Sequence, residues 1–462
     1  MKNKLFVACS ILLIATFLVA CTAPAGGAAA DAPAAPAAPA APAAEPAAPA
    51  ADGEEQIEIR ASWWGDTVRH DLYNRIVDGF EAAFPHVTVV REPASWADYW
   101  DRLAIQTAGG NAPDFISMHP QFAADYIGRA VLAPLDPFVS DGTIDLSGWP
   151  QGVIETGVVG DTLYMLAMGV TFTGFFVNST AHEEYGLTMP DFNWTWDDAR
   201  RLAAEAREVF DGMGDERRWL FGDAGGSLQA FRKFSRQFGY DIYDEAGNLA
   251  FTEDILTRWW TMWSDLQAAN LVPDAATGAE FIGVTLEESM FARGMVLMNT
   301  YVPVNQLSPL FENTFPDVRV VMVRNPQTPG GNAGEFPEGA HYAVSGQSPP
   351  EQQRAAAQLI NHWLNTEESL YLFRLDQGVP ANETLRHAYE DFLTPLQREI
   401  LDFVIFCFDV ATPSPFPPRG ASEVDAAFVL YAENVRFGLM DPAEGARRFI
   451  DEANAAIDRH RD

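Results

Sequence analysis

Trp63, Trp64 and Asp66 stand together just after the strand-like run Ile57-Glu58-Ile59-Arg60-Ala61, and their types suit one kind of chemistry. A sugar presents apolar C–H faces and a rim of hydroxyls, so its site needs aromatic plates for the faces and fixed polar groups for the rim. The carboxyl end of a strand is where open α/β sheets place their ligands. A core role for one of the two tryptophans is the competing reading. Trp219, Phe221 and Asp223 form a second group of the same kind, followed by Gly225-Gly226, which permit close backbone approach before a helix. An anion at that helix start is the other occupant such a turn could take.

Catalytic chemistry finds less support. Among 64 acidic residues no motif marks a pair for glycoside cleavage, which needs two carboxylates about 5 to 10 Å apart. Gly-x-Ser-x-Gly is absent, since Ser227 after Gly225-Gly226 lacks the second glycine. The eight histidines are scattered, with no His-x-x-x-His pair or Cys-His cluster, so no metal ligand set is expected. There is no Gly-x-x-x-x-Gly-Lys-Ser/Thr loop for phosphates, and no cofactor is expected. Cys407, inside Phe403-Val404-Ile405-Phe406-Cys407-Phe408, reads as a buried structural thiol rather than a nucleophile. A formal charge of −34 argues against nucleic acid as a partner and against direct adsorption on anionic lipid.

The elements that must carry these residues begin after an unusual start. Lys2 and Lys4 precede an apolar run from Leu5 to Ala20, too short to span a membrane comfortably, which has the pattern of a secretory signal. Its end, Leu18-Val19-Ala20-Cys21, resembles the bacterial lipobox. That resemblance implies that residues 1–20 are removed and that Cys21 carries a lipid. Residues 22–51 are almost entirely Ala and Pro and cannot build a core, so they read as a spacer. The remainder is long enough for about two domains.

From Gln56 the pattern becomes strand, helix, strand, helix. Leu72, Ile76, Phe80 and Phe84 predict one helix, ended by Pro85 before the strand Val87–Val90. Ser95 caps a second helix holding Trp96, Trp100, Leu103 and Ala104, which stops at Gly109-Gly110; Asp114–Ser117 reads as the next strand. Later come Thr195 capping Trp196 to Phe210, a helix from Glu253 to Ala269 with Trp259 and Trp263 as core, and a capping box Thr285-x-x-Glu288. Beyond Pro349 the chain is mainly helical. Strands alternating with helices imply a largely parallel sheet covered on both faces.

The order of landmarks resembles the extracellular solute-binding proteins of ABC importers, family 1, over about Gln56 to Arg459. The resemblance rests on Ile57 to Asp66, Asp101-Arg102-Leu103, Gly109 to Phe115 and Leu132-Ala133-Pro134-Leu135-Asp136-Pro137-Phe138. It continues through Gly160-Asp161-Thr162-Leu163-Tyr164, Phe175 to Asn178, Asn193 to Asp198, Phe291 to Met298 and Gly378-Val379-Pro380. Two positions depart from it: Asp161-Thr162 stands where the family has lysine, and Ala167 where it has proline.

The resemblance implies an α/β fold of the periplasmic-binding-protein type (type II), two lobes joined by crossing hinge strands. It places 56–168 plus 299–340 in the N-terminal lobe and 169–298 plus 341–462 in the C-terminal lobe, after a signal (1–20) and a lipidated linker (21–55). It implies no enzyme, but a monomeric receptor that closes on a sugar or oligosaccharide and delivers it to permease subunits driven by a cytoplasmic ATPase. The lipid anchor would hold it outside the cytoplasmic membrane. Besides Trp63, Trp64 and Asp66, the residues expected in the cleft are Met118, His119, Gln121, Thr171 and Phe172, then Phe221, Asp223, Asn299 and Tyr301, with Glu335 and His341 flanking the third crossing. Tyr301, at an expected second crossing after Met298, is the foremost aromatic candidate. Thr171 replaces a carboxylate found in maltose binders, which argues against that contact pattern. A polyamine, polyol or peptide receptor of the same fold is the alternative, and a secreted glycoside hydrolase a more distant one.

Overall fold

The computed structural model describes residues 55–461 except 282–283, 285–287, 307–314, 316, 331–332 and 413. The expected signal, Cys21, the Ala/Pro-rich spacer as far as residue 54 and Thr285 of the expected capping box lie outside the described residues.

In β1 (Ile57–Trp64), Ile59, Ala61 and Trp63 are fully buried on one face and Ser62 and Trp64 nearly so on the other, so the strand is covered on both sides. Asp66 caps α1 (Thr67–Ala83) by accepting from the Arg69 N–H, and Tyr73, Ile76, Val77 and Phe80 form its buried stripe. β2 (Val87–Ala94) runs parallel to β1 and continues four residues past the expected end at Val90. Ser95 caps α2 (Trp96–Ala108), after which β3 (Phe115–Met118) leads into α3 (Pro120–Gly128).

β4 (Met165–Ala167) precedes a passage to a second set of elements: β5 (Thr173–Asn178), α4 (Trp196–Met213), β6 (Trp219–Phe221), α5 (Leu228–Arg236), α6 (Glu253–Ala268), β7 (Val296–Pro303) and β8 (Val320–Val323). The Thr195 hydroxyl and the Asp198 carboxylate cap α4 reciprocally. β9 (His341–Val344), α7 (Pro350–Asn365) and α8 (Glu367–Phe373) follow, and α9 (Pro395–Val410), α10 (Ala421–Arg436) and α11 (Pro442–Arg459) complete the fold.

The strands build two main sheets, in the orders β2-β1-β3-β9-β4 and β8-β5-β7-β6. Both are mixed rather than largely parallel. β9 is antiparallel to β3 and β4, and β5 is antiparallel to β8 and β7, because a chain arriving from the other sheet enters these positions from the opposite end. The expected lobe boundaries do not follow the strands either. β7 and β8 lie in the second sheet although 299–340 was expected with the first, and β9 lies in the first sheet although 341 onward was expected with the second. The Trp363 ring of α7 packs at 6.3 Å from Trp63, 4.7 Å from Tyr73 and 5.5 Å from Phe115, which ties that helix to the first sheet. In the second set Trp259 and Trp263 of α6 are buried core, as their spacing predicts, and Trp260 is buried as well.

Between the sheets, three segments lie side by side. Val170 exchanges backbone hydrogen bonds with Val379 (2.8 and 2.7 Å), Thr171 does so with Glu338 (2.9 and 3.0 Å), and the Met168 N–H donates to the Ala340 carbonyl (2.8 Å). The second passage between sheets is thus 324–340, not the expected Met298–Tyr301. Glycine sets how close these backbones come. A Cβ on Gly339 would fall 2.4 Å from the Gly169 carbonyl oxygen, and one on Gly378, at φ +109°, would fall 2.5 Å from that of Val170. This gives Gly378-Val379-Pro380 a physical reason. Gly378→Ala should lower the unfolding free energy in urea by roughly 2 kcal/mol or more, combining strain with the clash. Gly142→Ala, at φ +79° but with open space around it, should cost only the left-handed backbone term of about 1 kcal/mol.

Candidate functional site

Two walls meet at the crossings. The first is aromatic and comes from the carboxyl ends of β1 and β3. Trp64 packs edge-on against Trp96 (5.0 Å between centroids) and Tyr99 (5.2 Å), and lies 5.6 Å from Trp100. Trp96, the first residue of α2, also lies edge-on to His119 at 5.7 Å, yet 45% of it stays exposed. An indole so exposed, beside rings that hold it in place, is a plate available to a ligand. The sequence placed Trp96 in the apolar stripe of its helix. Its position directly after the Ser95 cap, where a side chain points past the helix end, was the signal that could have singled it out.

The second wall is charged. Lys233 of α5 is buried and donates to the Glu338 carboxylate at 2.6 Å, with its ammonium 4.0 Å from the Phe336 ring centre. Arg232 packs over the same ring at 4.3 Å and pairs with Asp241 at 2.7 Å; Arg236 shares that aspartate. Arg324 and Glu335 form a buried two-point pair at 2.6 and 2.9 Å. Breaking such a pair from one side would leave a buried charge uncompensated.

Of the residues expected in the cleft, His119 is the one that faces both walls. Its Nδ1 accepts the Gln121 N–H at 3.3 Å, so it caps α3, and Gln121 is half-buried beside it. Burial pulls its pKa down to about 4, against an opposing pull from the Glu338 carboxylate. His341 is buried with Nε2 3.0 Å from the Thr156 hydroxyl, and burial with His119 nearby holds its pKa at about 3.

Other expected contacts are structural instead. Trp63 is wholly buried between Tyr73 and Trp363, because strand alternation turns it to the face opposite Trp64. Asp66 is spent on the α1 cap, and Met118 and Phe172 are fully buried. Thr171 is buried and serves the crossing through its backbone, while Glu335 is held by Arg324. Tyr301 packs edge-on to Phe175 at 5.3 Å within the second lobe, at φ +53°, with its hydroxyl buried and without a partner. Phe221 is buried at 6.3 Å from Phe175.

Asp223 and Asn299 border a separate cavity of about 240 Å³, with Arg436 and Phe281 among its other lining residues. Nor does Gly225 receive a ligand. Its carbonyl accepts from the indole N–H groups of Trp259 (3.1 Å) and Trp260 (3.0 Å), and a Cβ there would lie 3.1 Å from Trp263. Among the described residues, no group of three or more His, Cys, Asp and Glu is placed to hold a metal ion, and no helix is long and apolar enough to cross a membrane.

Two neutral imidazoles at the crossings make stability depend on pH. Unfolded histidine takes up a proton near pH 6.5, whereas folded His119 and His341 do so only near 4 and 3. Between these values the unfolded chain binds more protons, so stability should be full above about pH 6.5 and fall as pH drops, by up to about 1.4 kcal/mol per pH unit for each imidazole. Urea unfolding at pH 7, 6 and 5 checks this, and His119→Gln with His341→Gln should flatten the slope in that window.

Residues 75–391 match the family of bacterial extracellular solute-binding proteins. Solved structures with the same fold include an extracellular solute-binding protein family 1 member from Alicyclobacillus acidocaldarius (TM-score 0.66, 22% identity, 88% of this chain and 100% of that one). A periplasmic oligogalacturonide-binding protein from Yersinia enterocolitica, in complex with saturated digalacturonic acid, aligns at TM-score 0.74 and 20% identity over 88% of this chain and 100% of that one. An ABC substrate-binding protein from Listeria monocytogenes, in complex with cycloalternan, aligns at 0.73 and 19% over 87% and 100%.

Proposed function

Because this chain belongs to the bacterial extracellular solute-binding proteins, we propose that it is the lipid-anchored sugar receptor of an ABC importer, holding a sugar or oligosaccharide at the crossings between its lobes and passing it to a permease. It carries out no reaction on that sugar. The observation that carries this reading is the half-exposed Trp96, backed by Trp64 and Trp100 and set beside His119. An indole face suits the C–H face of a pyranose, and His119 and Glu338 supply the polar rim. The oligosaccharides in the Yersinia and Listeria complexes support the ligand class. Closure is a hinge motion at the backbone ladder of Val170, Thr171, Glu338 and Val379, where a few residues absorb the rotation. The Ala/Pro spacer after Cys21 provides reach from the membrane.

A thermal-shift screen of the mature protein against sugars, polyols, amino acids and polyamines tests the ligand class. A bound sugar at about 100 times its Kd should add roughly 2.7 kcal/mol of stability and be recovered unchanged. Stabilisation by polyamines alone, or recovery of cleaved sugar, would sink the proposal. Trp96→Ala should weaken sugar binding by more than about 1 kcal/mol with the melting temperature of the free protein retained. Cys21→Ser should move the exported protein from the membrane fraction to the soluble fraction, which fractionation and immunoblotting would read out.

A further inference from the structure

The cavity of about 240 Å³ in the second lobe stands apart from the crossings. Asn299 pairs with Phe176, three residues into β5 from Thr173 at the crossing end, a strand distance of roughly 10 Å. Arg236 stands at the far end of α5 from the Asp223 turn, a helical rise of roughly 12 Å.

Its polar groups are unevenly satisfied. The Arg436 Nε donates to one Asp223 carboxylate oxygen at 2.8 Å, and the other accepts the Gly225 N–H at 2.6 Å. Both carboxylate oxygens are therefore engaged. The two terminal nitrogens of Arg436 have no hydrogen-bond partner among the described residues, and Gly278 leaves room for them, since a Cβ there would fall 2.4 Å from one. The Asn299 side-chain amide nitrogen is buried without a partner too. What the cavity leaves unmet is donor capacity, from one guanidinium fork and one amide. The remaining wall is mostly apolar, with Phe281, Phe291, Met290 and Met298, and includes the hydroxyl residues Ser289 and Thr300.

We propose that this cavity binds a small monocarboxylate with an apolar body, its carboxylate taken by the terminal nitrogens of Arg436 and the amide of Asn299. A planar fork matches a carboxylate in a two-point contact, and a buried orphan donor regains its lost hydrogen bond. Asp223 opposes a second anion; burial raises its carboxyl pKa, which lessens that cost. The site is independent of the sugar site and does not rest on it.

Titration calorimetry of the mature protein with butanoate, hexanoate, 4-methylpentanoate, benzoate and phenylacetate, each beside its primary amide, is the test. At least one acid should bind with its amide at least tenfold weaker. Asn299→Leu and Arg436→Lys, which keeps Asp223 paired, should each weaken that acid at least tenfold, while Trp96→Ala leaves it unchanged. No binding of any acid at about 10 mM, an amide that binds as well as its acid, or loss of acid binding in Trp96→Ala would overturn the proposal. The comparison of acid with amide uses the unaltered protein, so a variant that fails to fold does not blunt it.

Discussion

The approach of bare backbone to bare backbone at Val170 and Thr171 is the constraint on which the rest of the molecule depends. Three segments from distant parts of the chain share hydrogen bonds there, and glycine at 169, 339 and 378 removes the side chains that would hold them apart. Because the ladder fixes Glu338, it also fixes where Lys233 and Phe336 sit. Because it continues into β4 and β9, it fixes His341, and through the pairing of β9 with β3 it fixes Met118 and the start of α3. Both walls of the candidate site therefore take their positions from one short stretch of main chain.

The distribution of charge follows a second logic. The chain has 30 basic residues against 64 acidic ones, and several of the scarce cations are buried beside the crossings: Arg232, Lys233, Arg236 and Arg324. Each has a carboxylate within hydrogen-bond reach, and three also lie over Phe336, so desolvation is offset by ion pairing together with ring contact. The surface is left more acidic still. Burial acts oppositely on His119 and His341, which lack a strong carboxylate partner and so stay neutral. Similar depth thus yields charged groups on one wall and uncharged imidazoles on the other, the difference being whether an anion is in contact.

Much of the architecture could be read from local chemistry. Asp66, Ser95 and Thr195 begin their helices because a side-chain oxygen meets an orphan N–H a few residues on, a signal contained within four residues. Trp259 and Trp263 of α6 are core because their spacing puts them on one face. The site was less legible, since its determinants are not local. Period-two alternation decides that Trp64 and not Trp63 turns toward Trp96, and which face counts depends on a helix, α7, some three hundred residues away. Glu335 looks like a rim carboxylate until Arg324 is found against it across a bend. The lobe boundaries failed for the same reason: a strand's sequence tells that it is a strand, not which of two sheets it completes. Trp96 was hidden by its company, one apolar residue in a stripe that also holds the buried Leu103 and the half-buried Trp100.

The first sheet has a consequence for the order in which the molecule can come into being. Its fourth position is filled by β9, so that Ile116 pairs with Ala343 and β4 touches the sheet only through that same strand. A chain made and threaded outward from its N-terminus cannot complete this sheet until the stretch around residue 344 has emerged. Contacts so far apart in sequence form slowly, because loop closure must precede any gain from pairing. The first sheet is therefore completed late, by a strand that follows the whole second set of strands in the chain.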